Sequence, residues 1–277
     1  MDYPQEKPFS WKHVRLIGIL PFDWEHPYIY HYIRYSHLKE MLKNFNGNGS
    51  LVLSNPRNWK DPMESRFLSK PFLKKWYGKK FNGEIAEICF TSNSIENSDA
   101  FWQRIKTEND DYVVQIKINL YKLLNALEFL ADKANGVNFY FSAVNYDYTQ
   151  TELIENKHLI DWKSGVRQRS ISTFIKILSC KRRNFRYENE MRLIMISNEM
   201  GSLENGNCVE KFLSKGKEFY RVNIPIKQAI SEVIVFDKVD KQKIVNDGVF
   251  TPNLIKVSKI YDIPKWKCSK ALKQVGF

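Results

Sequence analysis

The hydrophobic pattern along the chain predicts mainly strands. Residues 28–35, YIYHYIRY, are aromatic and β-branched with no breaker. Alternation puts Tyr28, Tyr30, Tyr32 and Arg34 on one face and Ile29, His31 and Ile33 on the other. SLVLS (50–54), IAEICFTSNS (85–94), DYVVQIKINL (111–120) and NFYFSAVNYDYT (138–149) read as further strands, as do segments near 218–224, 231–236 and 253–260. KHVRLIGILPF, ended by Pro21, reads as an early strand or as part of an N-terminal extension over residues 1–24. Helical spacing is found in SHLKEMLKNF, with Ser36 as the expected N-cap and Glu40 in the first turn, stopped by NGNG. It recurs in YKLLNALEFLADKA (121–134), closed by Asn135-Gly136, and in KVDKQKIVNDG. Residues 99–106, around Phe101 and Trp102, and residues 158–181, interrupted near Gly165, are also expected to be helical. NPRNWKDPMESRF is a turn-rich loop and 197–210 a polar one.

Strands outnumber helices without strict alternation. This predicts an α+β fold with mixed, mostly antiparallel sheets and interspersed helices, in one domain over residues 1–277. The chain has no GxGxxG and no GxxxxGK[ST], so no dinucleotide-binding Rossmann fold and no P-loop is signalled.

One stretch stands apart from this pattern: Lys181 to Ile196, KRRNFRYENEMRLIMI. From Tyr187 onward it reads as a strand, with Asn189 the sole turn residue before the apolar LIMI. Glu188, Glu190, Arg192, Ile194 and Ile196 would then share one face, and Tyr187, Met191, Leu193 and Met195 the other. Carboxylates two residues apart would sit roughly 6.5–7 Å apart, too far to share a proton but close enough to line one small-molecule site with Arg192 beside them. The plainer reading is a solvated face beside Lys181, Arg182, Arg183 and Arg186. The same face turning apolar at Ile194 favours the edge of a cleft.

Charge then adds a partner class. Lys and Arg number 43 against 31 Asp and Glu, a formal net charge of +12, with a pI near 9.3. A surface so basic favours an anionic partner: nucleic acid, nucleotide or a phosphate-rich cofactor. Cys89, Cys180, Cys208 and Cys268 are widely spaced with no CxxC, and the five His residues show neither HExxH nor finger spacing, so no metal site is expected. With no signal peptide and no apolar run long enough to span a bilayer, a cytoplasmic protein without a membrane partner is the expectation. Oligomeric state is not readable.

The order of motifs resembles a known family. A Tyr-His-Tyr strand, the NWKDPMESRF loop, Cys89-Phe90-Thr91, Phe101-Trp102 and FRYENEMRLI follow one another as in the bacterial DUF2971 family, over roughly residues 28–196. In that family an "fNDPfE" loop and a "yExEhR" strand recur; here the loop reads Asn58-Trp59-Lys60-Asp61-Pro62-Met63-Glu64. The same three-strand order resembles the ADP-ribosyltransferases, which carry an Arg or His on a first strand, an S-T-S-like second strand and an E-x-E or Q-x-E third strand. The resemblance implies an enzyme acting on NAD as substrate, with a nucleic acid or a protein as acceptor, of the kind found among toxins and phage-defence effectors. His31 or Arg34 falls at the first position, with Tyr32 between them, and Thr91 and Ser92 fall at the second. Glu188 and Glu190 fall at the third, Arg192 follows, and Trp102 is the ring expected against nicotinamide. Glu190 would be the catalytic acid and Glu188 would orient or deprotonate the acceptor. The chemistry fits, because nicotinamide–ribose cleavage passes through an oxocarbenium-like state that a carboxylate stabilises.

Each of these residues also has a structural reading. His31 can be a satisfied core histidine, Thr91 and Ser92 a strand end, Trp102 core, and Arg34 a partner of Glu40. The alternative function is a non-catalytic nucleic-acid-binding module using KKWYGKK (74–80) and KRRNFR (181–186). A hydrolase using Asp61, Glu64, Glu188 and Glu190 with a divalent metal is a third reading.

Overall fold

The computed structural model describes residues 11–17, 25–44, 47–58, 84–92, 113–134, 136–147, 175–176, 178–197, 208–235 and 238–257. In chain order these form strands β1 (Val14–Ile17), β2 (Tyr28–Arg34), β3 (Leu51–Ser54), β4 (Glu84–Thr91), β5 (Val113–Asn119), β6 (Val137–Ala143), β7 (Glu190–Ser197), β8 (Val209–Ser214), β9 (Lys217–Val222), β10 (Ile230–Val235) and β11 (Ile255–Val257). The helices are α1 (Tyr35–Lys43), α2 (Leu120–Lys133), α3 (Ile226–Ala229) and α4 (Lys238–Asp247). The protein is α+β, with mixed, mostly antiparallel pairing: β1–β6 and β10–β11 are parallel, and the other registered pairs are antiparallel.

The chain divides into two compact units. The first comprises Met1–Phe22, Leu51–Cys89 and Leu124–Ile224. Its strands follow the order β1-β6-β7-β4-β3-β9-β8. The central strand, β7, is buried at all eight positions, so both of its faces lie in the core. Its register against β6 sets Arg192 opposite Ser142 and Met191 opposite Ala143. The part of α2 in this unit buries Leu124, Leu127, Leu130 and Ala131 at helical spacing. β8 and β9 form a hairpin whose two-residue connection, Lys215 (φ 50°) and Gly216 (φ 74°), is left-handed at both positions, as the twist of a tight hairpin requires. β8 escapes the sequence pattern because VEKFLS carries charges and turns most of its residues to solvent.

The carboxylate of Glu128 on α2 accepts the backbone N–H groups of Lys12 (2.8 Å), His13 (2.9 Å) and Val14 (2.8 Å). Asn125, one turn away, accepts from the Trp11 indole at 3.1 Å. The segment read from sequence as early strand or extension is thus a strand, β1, clamped by one helix face. Glu128→Ala is expected to cost about 2 kcal/mol, on the scale of hydrogen bonds to charged groups. Hydrogen exchange would show it as faster exchange at the amides of Lys12, His13 and Val14 before any other.

The second unit comprises Asp23–Ser50, Phe90–Leu123 and Pro225–Phe277. Its strand order is β2-β5-β10-β11, with Thr91 at the end of β4 paired to Tyr30 of β2. β2 runs directly into α1, so Arg34 occupies the N-cap position and Ser36 lies within the first turn rather than capping it. Glu40 accordingly falls beyond the first turn. Gly49 (φ 93°) ends the connection after α1, where a Cβ would lie 2.6 Å from the Ile226 side chain.

Candidate active site

The stretch from Lys181 to Ile196 is not one strand. Residues Arg183–Glu188 form a 3-10 helix, Asn189 is left-handed (φ 40°, ψ 47°), and β7 begins at Glu190. Glu188 therefore does not share a strand face with Glu190, which corrects the register expected from the pattern. The break falls at Asn189, a residue type that tolerates the left-handed conformation, where the 3-10 turn gives way to the strand. Its N–H donates to the Arg186 carbonyl at 3.3 Å. Asn189→Val, a β-branched residue in that conformation, is expected to destabilise the protein by roughly 1–2 kcal/mol in urea unfolding, while Asn189→Gly stays close to wild type.

The turn still brings the two carboxylates together, through a cation instead of a shared face. The Lys181 ammonium donates to Glu188 Oε2 at 2.6 Å and to Glu190 Oε2 at 2.7 Å. Lys181 is aimed inward because the segment before it pairs with the chain after β6. The Asn145 N–H donates to the Ser179 carbonyl at 2.7 Å, and the Lys181 N–H donates to the Asn145 carbonyl at 3.0 Å. The same segment holds the start of β7: the Val144 N–H donates to the Glu190 carbonyl, and the Glu190 N–H donates to the Tyr146 phenol oxygen at 2.8 Å.

Glu190 and Arg192 do share a face, as the alternation predicts. Arg192 Nε donates to Glu190 Oε1 at 2.6 Å, and its Nη1 donates to the Leu178 carbonyl. Arg192 is only 1% exposed, and its guanidinium also lies 3.9 Å from a carboxylate oxygen of Glu87 on β4. Cys89, two residues along β4 and so on the same side as Glu87, hydrogen-bonds the Glu190 carboxylate. The cluster therefore joins Glu87, Glu188 and Glu190 with Lys181 and Arg192, all within the first unit.

The electrostatics follow from this packing. Burial alone pushes the Glu190 carboxyl up, but the Arg192 guanidinium and the Lys181 ammonium outweigh it and hold the group down at about 2. Glu190 is thus a permanent anion at neutral pH. The Cys89 residue keeps some accessible surface, yet its sulfur is densely surrounded; burial, then the Glu190 charge, push the thiol well up and keep it protonated. Burial likewise raises the Tyr146 phenol and lifts the Cys180 thiol to about 12. The cluster holds one fixed anion and offers no thiolate nucleophile.

His31, Tyr32, Arg34, Thr91 and Ser92 belong to the second unit. The His31 ring lies 5.6 Å from that of Phe90. Tyr32 packs with Tyr30 against Val113 and Ile234, and burial raises its phenol. Arg34 ends β2, Thr91 is buried opposite Tyr30, and Ser92 is half-buried just past β4. Trp102, Asp61, Glu64, Tyr148 and KKWYGKK lie outside the described residues, as does most of 158–181. Among the described residues no group of three or more His, Cys, Asp or Glu side chains is arranged to hold a metal ion, and no helix is long and apolar enough to cross a membrane.

Sequence reasoning did not place Tyr146 or Glu87 in the cluster, and took Lys181 only as part of the cationic run 181–186 and Cys89 only as part of the Cys89-Phe90-Thr91 motif. Glu87 did leave a signal, an acid in the middle of the apolar run IAEICF, which demands a buried partner. Lys181 left none, since it opens a run of cations that reads as solvated surface. Comparison of the chain with protein-family models, with curated proteins and with solved structures finds no match.

Proposed function

We propose that the protein is an NAD-dependent ADP-ribosyltransferase-like enzyme of the DUF2971 type, with Glu190 and Glu188 as its catalytic carboxylates. The observation that carries the proposal is the pair of carboxylates at the start of β7, bridged by one cation, with Glu190 held ionised by Arg192. Breaking the nicotinamide–ribose bond sends the bonding electron pair out with nicotinamide and leaves positive charge on the ribosyl carbon and ring oxygen. A carboxylate that never protonates at neutral pH suits that charge, and its ionisation rules out service as a general acid. The Lys181 ammonium lies between the two carboxylates, which supports the reading that the pair suits a positive charge. Arg192 is the positioning residue, fixing Glu190 through Oε1 and turning Oε2 toward Lys181. Glu188, at the outer end of the cluster with a side chain 13% exposed, is the base that takes the acceptor's proton as the acceptor bonds to the ribosyl carbon.

The test is incubation of wild-type protein and Glu190→Gln with labelled NAD and cell lysate, followed by mass spectrometry and nicotinamide quantification. Wild type is expected to release nicotinamide and transfer label. No release, or equal release by Glu190→Gln, would overturn the proposal.

A further inference from the structure

We propose that the 3-10 turn Arg183–Glu188 is a docking surface for the phosphodiester backbone of a single-stranded nucleic acid, and that such a strand is the acceptor. The binding claim stands on the turn alone; the acceptor claim rests on the ADP-ribosyl transfer reading.

In a 3-10 helix, side chains three apart eclipse, with a rise of about 2 Å per residue. Arg183 and Arg186, both exposed, therefore stand on one ridge with about 6 Å of rise between them. Arg182, the extended residue just before the turn, sets its guanidinium 5.1 Å from the Phe185 ring centroid. The Lys181 ammonium lies 5.1 Å from the same ring. Phe185 thus holds two cations beside the turn, and the exposed guanidiniums offer contacts to charge, which carry no sequence information directly. Arg183 spends one donor on the Asp147 carbonyl (2.9 Å), which orients its guanidinium. Among the described residues neither Arg183 nor Arg186 forms an ion pair with a carboxylate. A lone phosphate calls for donors converging on one point. Two exposed arginines three residues apart on one turn instead suit a row of charges, such as the successive phosphates of a nucleic-acid strand. The turn ends at Glu188, so a strand lying along it is delivered to the carboxylate pair. The formal net charge of +12 adds long-range attraction of the same sign.

The test is fluorescence anisotropy of a labelled homopolymer DNA or RNA oligonucleotide, titrated across a salt series with wild type and with Arg183→Gln/Arg186→Gln. The double variant is expected to unfold in urea like wild type and to bind with a log–log salt slope shallower by about 1.4, which is about sevenfold less affinity lost between 50 and 200 mM salt. Arg186→Glu alone is expected to weaken binding further at low salt. Absence of binding by wild type, or an unchanged slope in the double variant, overturns the inference. Equal weakening of NAD and oligonucleotide binding in the double variant, with the two ligands competing, also overturns it, because the dinucleotide pyrophosphate would then be the ligand. Nicotinamide release without an added acceptor, measured in parallel, is expected to be the same in both proteins. Its absence in both would defeat the transfer reading while leaving the binding result standing.

Discussion

Arg192→Met is expected to lose about 3–5 kcal/mol of stability at pH 7, the usual consequence of removing one partner from a buried ion pair. The guanidinium is 1% exposed and balances Glu190 at 2.6 Å, with Glu87 3.9 Å away. Methionine fills much of the volume but leaves two carboxylates in the core with Lys181 as the remaining nearby cation. Urea unfolding as a function of pH would separate charge from packing. In wild type Glu190 sits at about 2, below the ordinary carboxylate value of about 4.3, so the unfolded state binds its proton first. The stability that Glu190 contributes is therefore fully present above about pH 5 and is lost as pH falls towards 2, by roughly 3 kcal/mol in all. In Arg192→Met that loss is expected to be smaller, since only Lys181 is left to favour the charged form of the carboxyl against burial. An Arg192→Met protein as stable as wild type at pH 7, with the same acid limb, would show that the guanidinium does not anchor the cluster.

Glu190→Gln is expected to lower nicotinamide release by roughly 10²–10³, the scale seen when a preorganised electrostatic stabiliser is removed. Glutamine keeps the shape and one carbonyl acceptor for Arg192 but carries no negative charge to place against a ribosyl cation. Because the substitution also disturbs a buried pair, folding has to be followed beside activity by circular dichroism at the assay temperature. Glu188→Gln supplies the contrast. Its side chain pairs with Lys181 at the outer end of the cluster, so the fold should hold, and the defect should fall on transfer to an acceptor more than on nicotinamide release. Equal losses of both activities in Glu188→Gln would remove the division of roles between the two carboxylates.

The parts of the fold governed by local composition were legible in the chain. β2, β5 and β6 are aromatic and β-branched runs, and α2 and α4 carry helical spacing with recognisable ends. The apolar half of the central strand, from Met191 on, was legible for the same reason, and so was the shared face of Glu190 and Arg192. The charged half was not. Phe185 and Tyr187 are strand-forming residue types, yet they lie in a 3-10 turn that ends at a left-handed Asn189, and one asparagine is a weak cue among strand formers. Lys181, read only as part of the cationic run 181–186, was not legible as the partner of the two carboxylates, because its burial depends on Asn145, 36 positions earlier in the chain, and on two acids that the turn brings round to it. The two carboxylates do lie together, but the agent that joins them is a cation and not a common strand face.

The clamp on the first strand has a consequence for synthesis. Glu128, which secures the amides of residues 12–14, is translated 114 residues after Val14, and the parallel partner of Val14 on β6, Phe139, comes later still. At ordinary elongation rates of about 5–20 residues per second, the VRLI segment waits roughly 6–23 s on the ribosome with neither its ladder nor its acceptor in existence. That interval far exceeds the microseconds of chain collapse, so Val14, Leu16 and Ile17 are left open to chaperones and to neighbouring nascent chains before their partners exist. Output of native protein should therefore depend on holdase capacity more steeply than the stability of the finished molecule alone would imply.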